Sequence, residues 1–237
     1  MARFSGGRKP AEELYDLDND PHEINNLASD PAYQEKLAEL RRALIHWQIE
    51  IGDLGLMPES EIERRREEAG SDYAVAPRTK ADSPAFFRRL ITAVGAASEA
   101  PNFNLFMTYL ADPNPSIRYW GAMGIGNFAQ DAVKSASVTE GISQALADPA
   151  PAVRIAAARA LCYMGHADQG LPVLEQELYG DFQWARLEAA NVLDELGEIA
   201  RPSLETLRKS LKDQHRYIGR VVRHAVKGLL DTQERVR

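Results

Sequence analysis

Few residues in this sequence have the type and spacing that metal binding or catalysis requires. The densest group is the acidic segment DLDNDPHE, in which four carboxylates fall between Asp16 and Glu23. Carboxylate oxygens suit Ca²⁺, but this segment lacks the ligand spacing of an EF-hand loop. Capping of a turn is therefore the favoured interpretation, and calcium binding is the alternative.

The cysteine and the histidines show no ligand or nucleophile pattern. Cys162 is the single cysteine and lies in the small-residue run ARALCYMG, which excludes an internal disulfide and a Cys-rich zinc site. A buried structural thiol is predicted, because reactive thiols need an exposed electropositive setting. No pair among the five histidines has HExxH or other ligand spacing. The sequence therefore predicts no catalytic, cofactor-binding or metal-ligating residue in this chain.

Composition narrows the class of protein. The chain has 237 residues, of which 44% are apolar and 27% charged, which is typical of a soluble globular protein. A formal charge of -7 argues against a nucleic-acid partner, and no apolar run is long enough to predict a membrane span. The segment from Arg201 onward contains ten Lys and Arg but only four Asp and Glu, so the excess of acidic residues lies before Arg201.

Residues 1–57 form the first of three predicted zones. ARF and EELYDL are predicted to be strands of a short β-hairpin, since GGRKP between them carries turn residues. A helix is predicted next, with Asp30 as N-cap, Pro31 in its first turn and Gly52 at its end. Its apolar residues recur at helical spacing and share one face. They are Tyr33, Leu37, Leu40, Leu44, Trp47 and Ile51. This face needs a partner surface, and an isolated hairpin is a small one.

The opening motif ELYDLDNDPHEINNLASDP resembles the C-terminal end of the sulfatase family, in which a strand runs into DPxExxNLA and a final helix. The resemblance covers the first 57 residues. The residues that carry it are Leu14, Tyr15, Asp16, Leu17, Asp20, Pro21, Glu23, Asn26 and Leu27. Their expected roles are structural: strand contacts, a chain turn at Asp20-Pro21, and capping of main-chain amides by Glu23 and Asn26.

The same resemblance implies what the catalytic part of such an enzyme contains. Sulfatases use a formylglycine made in a C/S-x-P-x-R motif, and a calcium ion held by the same large α/β domain. Cys162 is followed by Tyr-Met-Gly, and no serine is followed by x-P-x-R. Formylglycine and calcium are therefore expected only in a catalytic domain absent from these residues, and this chain alone is expected to hydrolyse no aryl sulfate.

Residues 58–82 form the second zone, PESEIERRREEAGSDYAVAPRTKAD. This segment is dense in charge and poor in apolar residues, which predicts a short solvated helical turn followed by a charged linker.

Residues 83–237 form the third zone and contain internal repeats. Four segments align on Arg118, Arg154, Arg186 and Arg220, separated by 36, 32 and 34 residues. Each unit is predicted to be a helix, an Asp-containing turn and a second helix rich in small residues. Because one such pair cannot bury its apolar face alone, the pairs are expected to stack. The predicted fold class is mainly α: a solenoid of four to five helical pairs, preceded by the hairpin and helix of the first zone.

The units resemble HEAT or HEAT-like repeats through the pattern LxDxxxxVRxxAAxALxxxG, met most fully by residues 146–165. In that family the turn aspartate and the helix arginine form a structural ladder of hydrogen bonds. The residues assigned to it by resemblance are Asp112, Arg118, Asp148, Arg154, Arg186 and Arg220. Asp112 with Arg118 and Asp148 with Arg154 have the family's spacing. The two later pairs depart from it, since Asp181 with Arg186 is one residue short and Asp213 with Arg220 one residue long.

The last helix carries a basic stripe at helical spacing. Its members are Arg216, Arg220, Arg223 and Lys227. A polar cap that closes the solenoid is the first interpretation. A docking surface for an acidic partner or a sulfated polymer is the second.

Three functions follow as hypotheses. The first is the C-terminal part of a sulfatase-family hydrolase, with the repeats contacting the catalytic domain, a substrate or a protein partner. The second is a free-standing repeat scaffold that binds proteins. The third, a bilin lyase-like HEAT protein, rests on repeat similarity alone.

Overall fold

The computed structural model describes residues 10, 12–71, 75, 82–213 and 215–235. The chain divides into two compact units, Met1–Asp53 and Leu54–Arg237. The first unit thus ends before residue 57, and the segment predicted as a linker begins within the second unit.

One helix dominates the first unit. Helix α1 spans Gln34–Ile51 and follows a 3₁₀ turn at Pro31–Tyr33. The Asp30 carboxylate accepts a hydrogen bond from the Ala32 N–H, and Gly52 ends α1 with φ of 67°. These are the cap and the terminator that the sequence indicates, since the left-handed conformation favours glycine.

The predicted β-hairpin is not present in the described residues. EELYDL is irregular between Glu12 and Leu17, and the ARF segment lies outside the described residues. The Leu14 N–H is bonded to the Asn26 side chain, and the Leu14 carbonyl accepts from the Leu27 N–H. The main chain of Leu14 is therefore bonded to residues of the following turn. It does not pair with a neighbouring β-strand among the described residues.

All regular secondary structure in the described residues of the second unit is helical. Its helices are α2 (Glu59–Ala69), α3 (Asp82–Glu99), α4 (Phe103–Leu110), α5 (Pro115–Asn127), α6 (Ala129–Ala132), α7 (Ala136–Gln144), α8 (Pro151–Tyr163), α9 (Ala167–Leu178), α10 (Gln183–Leu196), α11 (Leu204–Lys209) and α12 (Arg216–Arg235). Short 3₁₀ segments at Ala145–Ala147, Gly197–Ser203 and Ser210–Lys212 extend or join them. None of the described helices is both long and apolar enough to cross a membrane.

The helices of the second unit stack as a HEAT-like solenoid. Four pairs follow α3: α4 with α5, α7 with α8, α9 with α10, and α11 with α12. The second helices pack on one another in chain order, starting from α3, and the first helices cover them on one side. Two apolar clusters fill the space between the layers, one centred on α5 and α8 and the other on α9, α10 and α12. The prediction of a mainly helical repeat solenoid is confirmed.

Gly121 lets α4 and α5 approach closely, and we expect Gly121→Ala to be destabilising. A Cβ at this position would lie 2.8 Å from the Phe106 carbonyl oxygen and 2.9 Å from the Leu110 nitrogen. Because these are main-chain atoms, a whole helix must shift, and the expected cost is about 1–3 kcal/mol. Chemical denaturation measures it.

Gly228→Ala is the matched control for this change. Nothing lies within 4 Å of a Cβ at Gly228. Alanine there should stabilise α12 by roughly 0.5–1 kcal/mol, because glycine is a poor helix former. Equal effects of the two changes would contradict the packing explanation.

Candidate functional site

The turns between paired helices are built on three aspartates. The carboxylates of Asp112, Asp148 and Asp213 each accept a hydrogen bond from the main-chain N–H two residues later, at 2.8 Å in every case. Each aspartate thus satisfies an amide at the start of a second helix that has no partner within the helix.

The arginines join one repeat to the next. Arg118 donates from Nε and Nη2 to the Asp148 carboxylate of the following repeat, at 2.7 and 2.8 Å. Its Nη1 donates to the main-chain carbonyls of Asp112 and Pro113 in its own turn. The family pattern pairs Arg118 with the Asp112 carboxylate, whereas here the carboxylate partner lies one repeat further along the chain.

The same offset recurs along the array. Arg89 in α3 pairs with Asp112, and Arg186 pairs with Asp213. Arg154 instead donates to Glu177 in α9 at 2.6 Å, and Asp181 is exposed. The repeat pattern in the sequence did not indicate Arg89, which lies ahead of the four aligned segments, or Glu177, which lies outside the turn.

Arg220 does not join the ladder. The Asp213 carboxylate forms its ion pair with Arg186, and Arg220 is exposed on α12.

The motif residues of the first unit form a self-contained turn. The Asp20 carboxylate accepts hydrogen bonds from the N–H groups of Ile24 and Asn25 at 2.8 and 2.7 Å. Asn26 holds the two sides of the turn together: its Oδ1 accepts from the Leu14 and Ala28 N–H groups, and its Nδ2 donates to the Glu12 carbonyl.

The remaining motif residues have peripheral positions. Asp16 accepts from the Asn19 side chain at 2.8 Å, which lowers the pKa of the Asp16 carboxyl. Glu23 is exposed with φ of 52°, and Leu17 is 60% exposed. Leu14, Tyr15 and Leu27 are half-buried, and Pro21 is exposed. Asp16 and Asp20 therefore accept hydrogen bonds within this segment, whereas no described residue donates one to the side chain of Glu23, which was expected to cap an amide. The described part of the chain contains no cluster of His, Cys, Asp and Glu suited to a metal ion.

The thiol and two of the histidines have structural surroundings. Cys162 is buried in α8, and burial raises the pKa of its thiol to about 12. His224 is paired with Asp194 at 2.8 Å, and His215 contacts Gln183 at 3.0 Å.

The apolar face of α1 is largely open to solvent. Leu37 is buried, but Leu40, Leu44, Trp47 and Ile51 are 44–53% exposed. Scattered exposed apolar residues are ordinary, whereas a contiguous helical stripe of this kind indicates a surface that another element covers.

The basic stripe of α12 is also exposed. Arg216, Arg220, Arg223 and Lys227 all face solvent, and no described residue forms an ion pair with any of the four. The opposite face of α12 is buried through Ile218, Val222, Ala225 and Leu229. Four cations on one exposed face favour a local positive potential in a chain that is acidic overall.

A third surface is polar and lies where α2 packs on the second helices. The Ser60 hydroxyl donates to Glu188 Oε2 of α10 at 2.5 Å, and Trp120 Nε1 of α5 donates to the Leu56 carbonyl at 2.7 Å. Arg65 donates to the Asn114 side-chain oxygen at 3.0 Å. Burial raises the pKa of Glu188 to about 7. The negative charge of Glu177 also raises this pKa, whereas the hydrogen bond from Ser60 lowers it.

A cavity of about 170 Å³ adjoins Glu188 between α5, α8 and α10. Arg159 lines it, and its Nε and Nη2 donate three hydrogen bonds to the Glu195 carboxylate. The Arg159 guanidinium lies 4.8 Å from the centre of the Tyr163 ring. Burial opposes ionisation of Glu195, but the Arg159 hydrogen bonds outweigh it and lower the pKa of that carboxyl. Tyr119 also lines the cavity, and burial raises the pKa of its phenol.

Comparison with known proteins identifies part of the repeat unit as similar to a known repeat family. Residues 139–229 match the family model for HEAT repeats. A crystal structure of an engineered protein covers 86% of this chain and 94% of its own, with 18% identity and a TM-score of 0.48.

The curated relatives are sulfatases, and they match over short stretches. An ulvan-active sulfatase of Formosa agariphila is 54% identical over 54 residues, which is 23% of this chain and 9% of that protein. The human N-sulphoglucosamine sulphohydrolase is 51% identical over 41 residues, which is 17% of this chain and 8% of that enzyme. The chain thus spans less than a tenth of the length of these relatives.

Proposed function

We propose that this chain is the C-terminal part of a sulfatase-family hydrolase and that its repeat unit is an interaction module. The short matches to two sulfatases support the first half of the proposal. The exposed apolar stripe of α1 also supports it, because a catalytic domain would supply the surface that this stripe lacks. Sulfate-ester hydrolysis, with its formylglycine and calcium, would then reside in that domain.

The coding sequence upstream of Met1 tests the hydrolase half. An in-frame domain with a C/S-x-P-x-R motif supports it, and an unrelated neighbouring gene contradicts it. Calcium-dependent turnover of an aryl sulfate by this polypeptide alone would also contradict it, because that activity would have to come from residues that carry no such motif.

A free-standing scaffold is the second candidate. It is favoured by the repeat unit Leu54–Arg237, which is compact and contains its own two apolar clusters. A protein partner would then bind the same exposed surfaces without any hydrolase domain.

The basic stripe of α12 is the observation that carries the interaction role. We expect Arg220→Glu/Arg223→Glu to weaken binding of a sulfated polysaccharide, such as dextran sulfate, by about tenfold or more at low salt. The reason is that four aligned cations attract a polyanion and that this attraction is screened by salt. Fluorescence anisotropy with labelled polymer at low and high salt measures the effect.

Arg88→Glu/Lys134→Glu is the matched control for the stripe. Both residues are exposed, Arg88 on α3 and Lys134 in the turn after α6, so the net charge changes equally while the stripe stays intact. Equal loss of binding in both variants would show that net charge, not the stripe, governs the interaction.

A further inference from the structure

We propose that the face formed by the second helices is a binding site for a polar helix, and that the segment Leu54–Ala69 occupies it as an internal ligand. The partner that fits is a helix of another polypeptide with a hydroxyl residue five positions before an arginine. This is the spacing of Ser60 and Arg65, the two side chains of α2 that reach Glu188 and Asn114.

The buried face of α2 is unusual for a helix that belongs to a core. Ser60, Glu61 and Glu63 are 2%, 1% and 6% exposed, whereas Ile62 is only half-buried. A helix held by the hydrophobic effect buries an apolar stripe. The helix itself has one aliphatic residue larger than alanine, so its docking relies on polar contacts, and the buried apolar residue of the segment is Met57, ahead of the helix.

The contacts are directional and specific in chemistry. The array offers a carboxylate from Glu188, an amide oxygen from Asn114 and an indole N–H from Trp120. The docked segment contributes the hydroxyl that binds the carboxylate, the guanidinium that binds the amide oxygen, and the main-chain carbonyl that accepts from the indole. The three array residues come from two repeats that are not adjacent in sequence, so the site exists only when the solenoid is stacked.

The strength of these contacts is compatible with exchange. A hydrogen bond contributes about 0.5–1.5 kcal/mol net, and about 1.5–3 kcal/mol when one partner is charged. A tethered segment competes at an effective concentration on the order of millimolar. An external helix with the same pattern therefore displaces α2 only when it exceeds this concentration, when it binds more tightly, or when internal docking is weakened.

The probe is a fluorescent peptide of residues 54–71, added to the full chain. We expect Ser60→Ala/Arg65→Ala in the protein to weaken internal docking and to raise the affinity for the wild-type peptide about tenfold over that of the unmodified chain. A peptide carrying the same two substitutions should bind this variant at least about tenfold more weakly than the wild-type peptide, because it lacks both donors.

Glu59→Ala/Glu67→Ala in the protein is the control, because both residues are on the exposed side of α2. It should leave peptide affinity at the level of the unmodified chain. The proposal is overturned if the Ser60/Arg65 variant binds both peptides equally or neither. It is also overturned if that variant loses the cooperative thermal transition of the solenoid, since α2 would then be part of the core.

Discussion

Replacing Asp148 by alanine is expected to lower the free energy of unfolding by about 3–5 kcal/mol, the range observed when one partner of a buried ion pair is removed. The carboxylate of Asp148 accepts two hydrogen bonds from Arg118 and one from the Ala150 N–H. Arg118 is 14% exposed and Asp148 10% exposed at their side chains, so alanine would leave a guanidinium largely shielded from water. Urea unfolding followed by circular dichroism measures the loss.

Asp181→Ala is the control that the sequence itself supplies. Asp181 lies in the corresponding turn of the next repeat, but it is exposed, and the arginine before it is bonded to Glu177. A surface substitution of this kind changes stability by no more than about 0.5 kcal/mol. Asp148→Asn should fall between the two, because an amide oxygen can still cap Ala150. If Asp181→Ala cost as much as Asp148→Ala, the ladder would follow the sequence pattern rather than the contacts seen here.

The repeat architecture was predictable because it depends on patterns of period and residue size. Small residues and leucines recur at helical spacing, and the turn aspartates mark the junctions, so the stacked pairs follow from sequence. The partners within the ladder were not predictable in the same way. Arg118 reaches the next repeat rather than its own turn carboxylate, and that choice depends on how far successive repeats are offset in space.

The predictions for the two segments outside the repeats were wrong in different ways. EELYDL has strand composition, but a β-strand needs a neighbouring strand, and the Asn26 side chain binds the Leu14 amide instead. The ESEIERRREEA segment has the composition of a solvated helical turn, and it does form helix α2, but that helix buries Ser60, Glu61 and Glu63 instead of being solvated. Its partners Glu188 and Trp120 lie far along the chain, and hydropathy carries no signal for a helix docked by polar contacts.

The candidate site was correspondingly harder to predict than the fold. The basic stripe could be read from spacing, because all four cations are on one exposed face of α12. Glu188 carried no such signal, since a glutamate in an amphipathic helix is ordinarily solvated. Its surroundings are set by three separate helices, which only the folded chain brings together.

Glu188→Gln is expected to stabilise the protein at pH 8 and to do so much less at pH 5. Burial raises the pKa of Glu188 in the folded chain to about 7 from its ordinary value of 4.5. The folded state therefore holds this proton more tightly than the unfolded state. The contribution to stability is fully present below about pH 4.5, is lost as the pH rises to about 7, and is constant above that. One pKa unit corresponds to about 1.4 kcal/mol, so the loss is on the order of 3 kcal/mol.

Glutamine has the shape of glutamic acid and no charge, so the variant should not show this loss. The quantity to measure is the difference in unfolding free energy between variant and unmodified chain at each pH, which cancels the titration of all other groups. Glu140→Gln is the matched control, because Glu140 is exposed on α7. The Glu188 difference should grow between pH 5 and pH 8, and the Glu140 difference should stay within about 0.5 kcal/mol. A Glu188 difference that is independent of pH would mean that this carboxylate is hydrated in the folded chain and that the contact with Ser60 does not bury it.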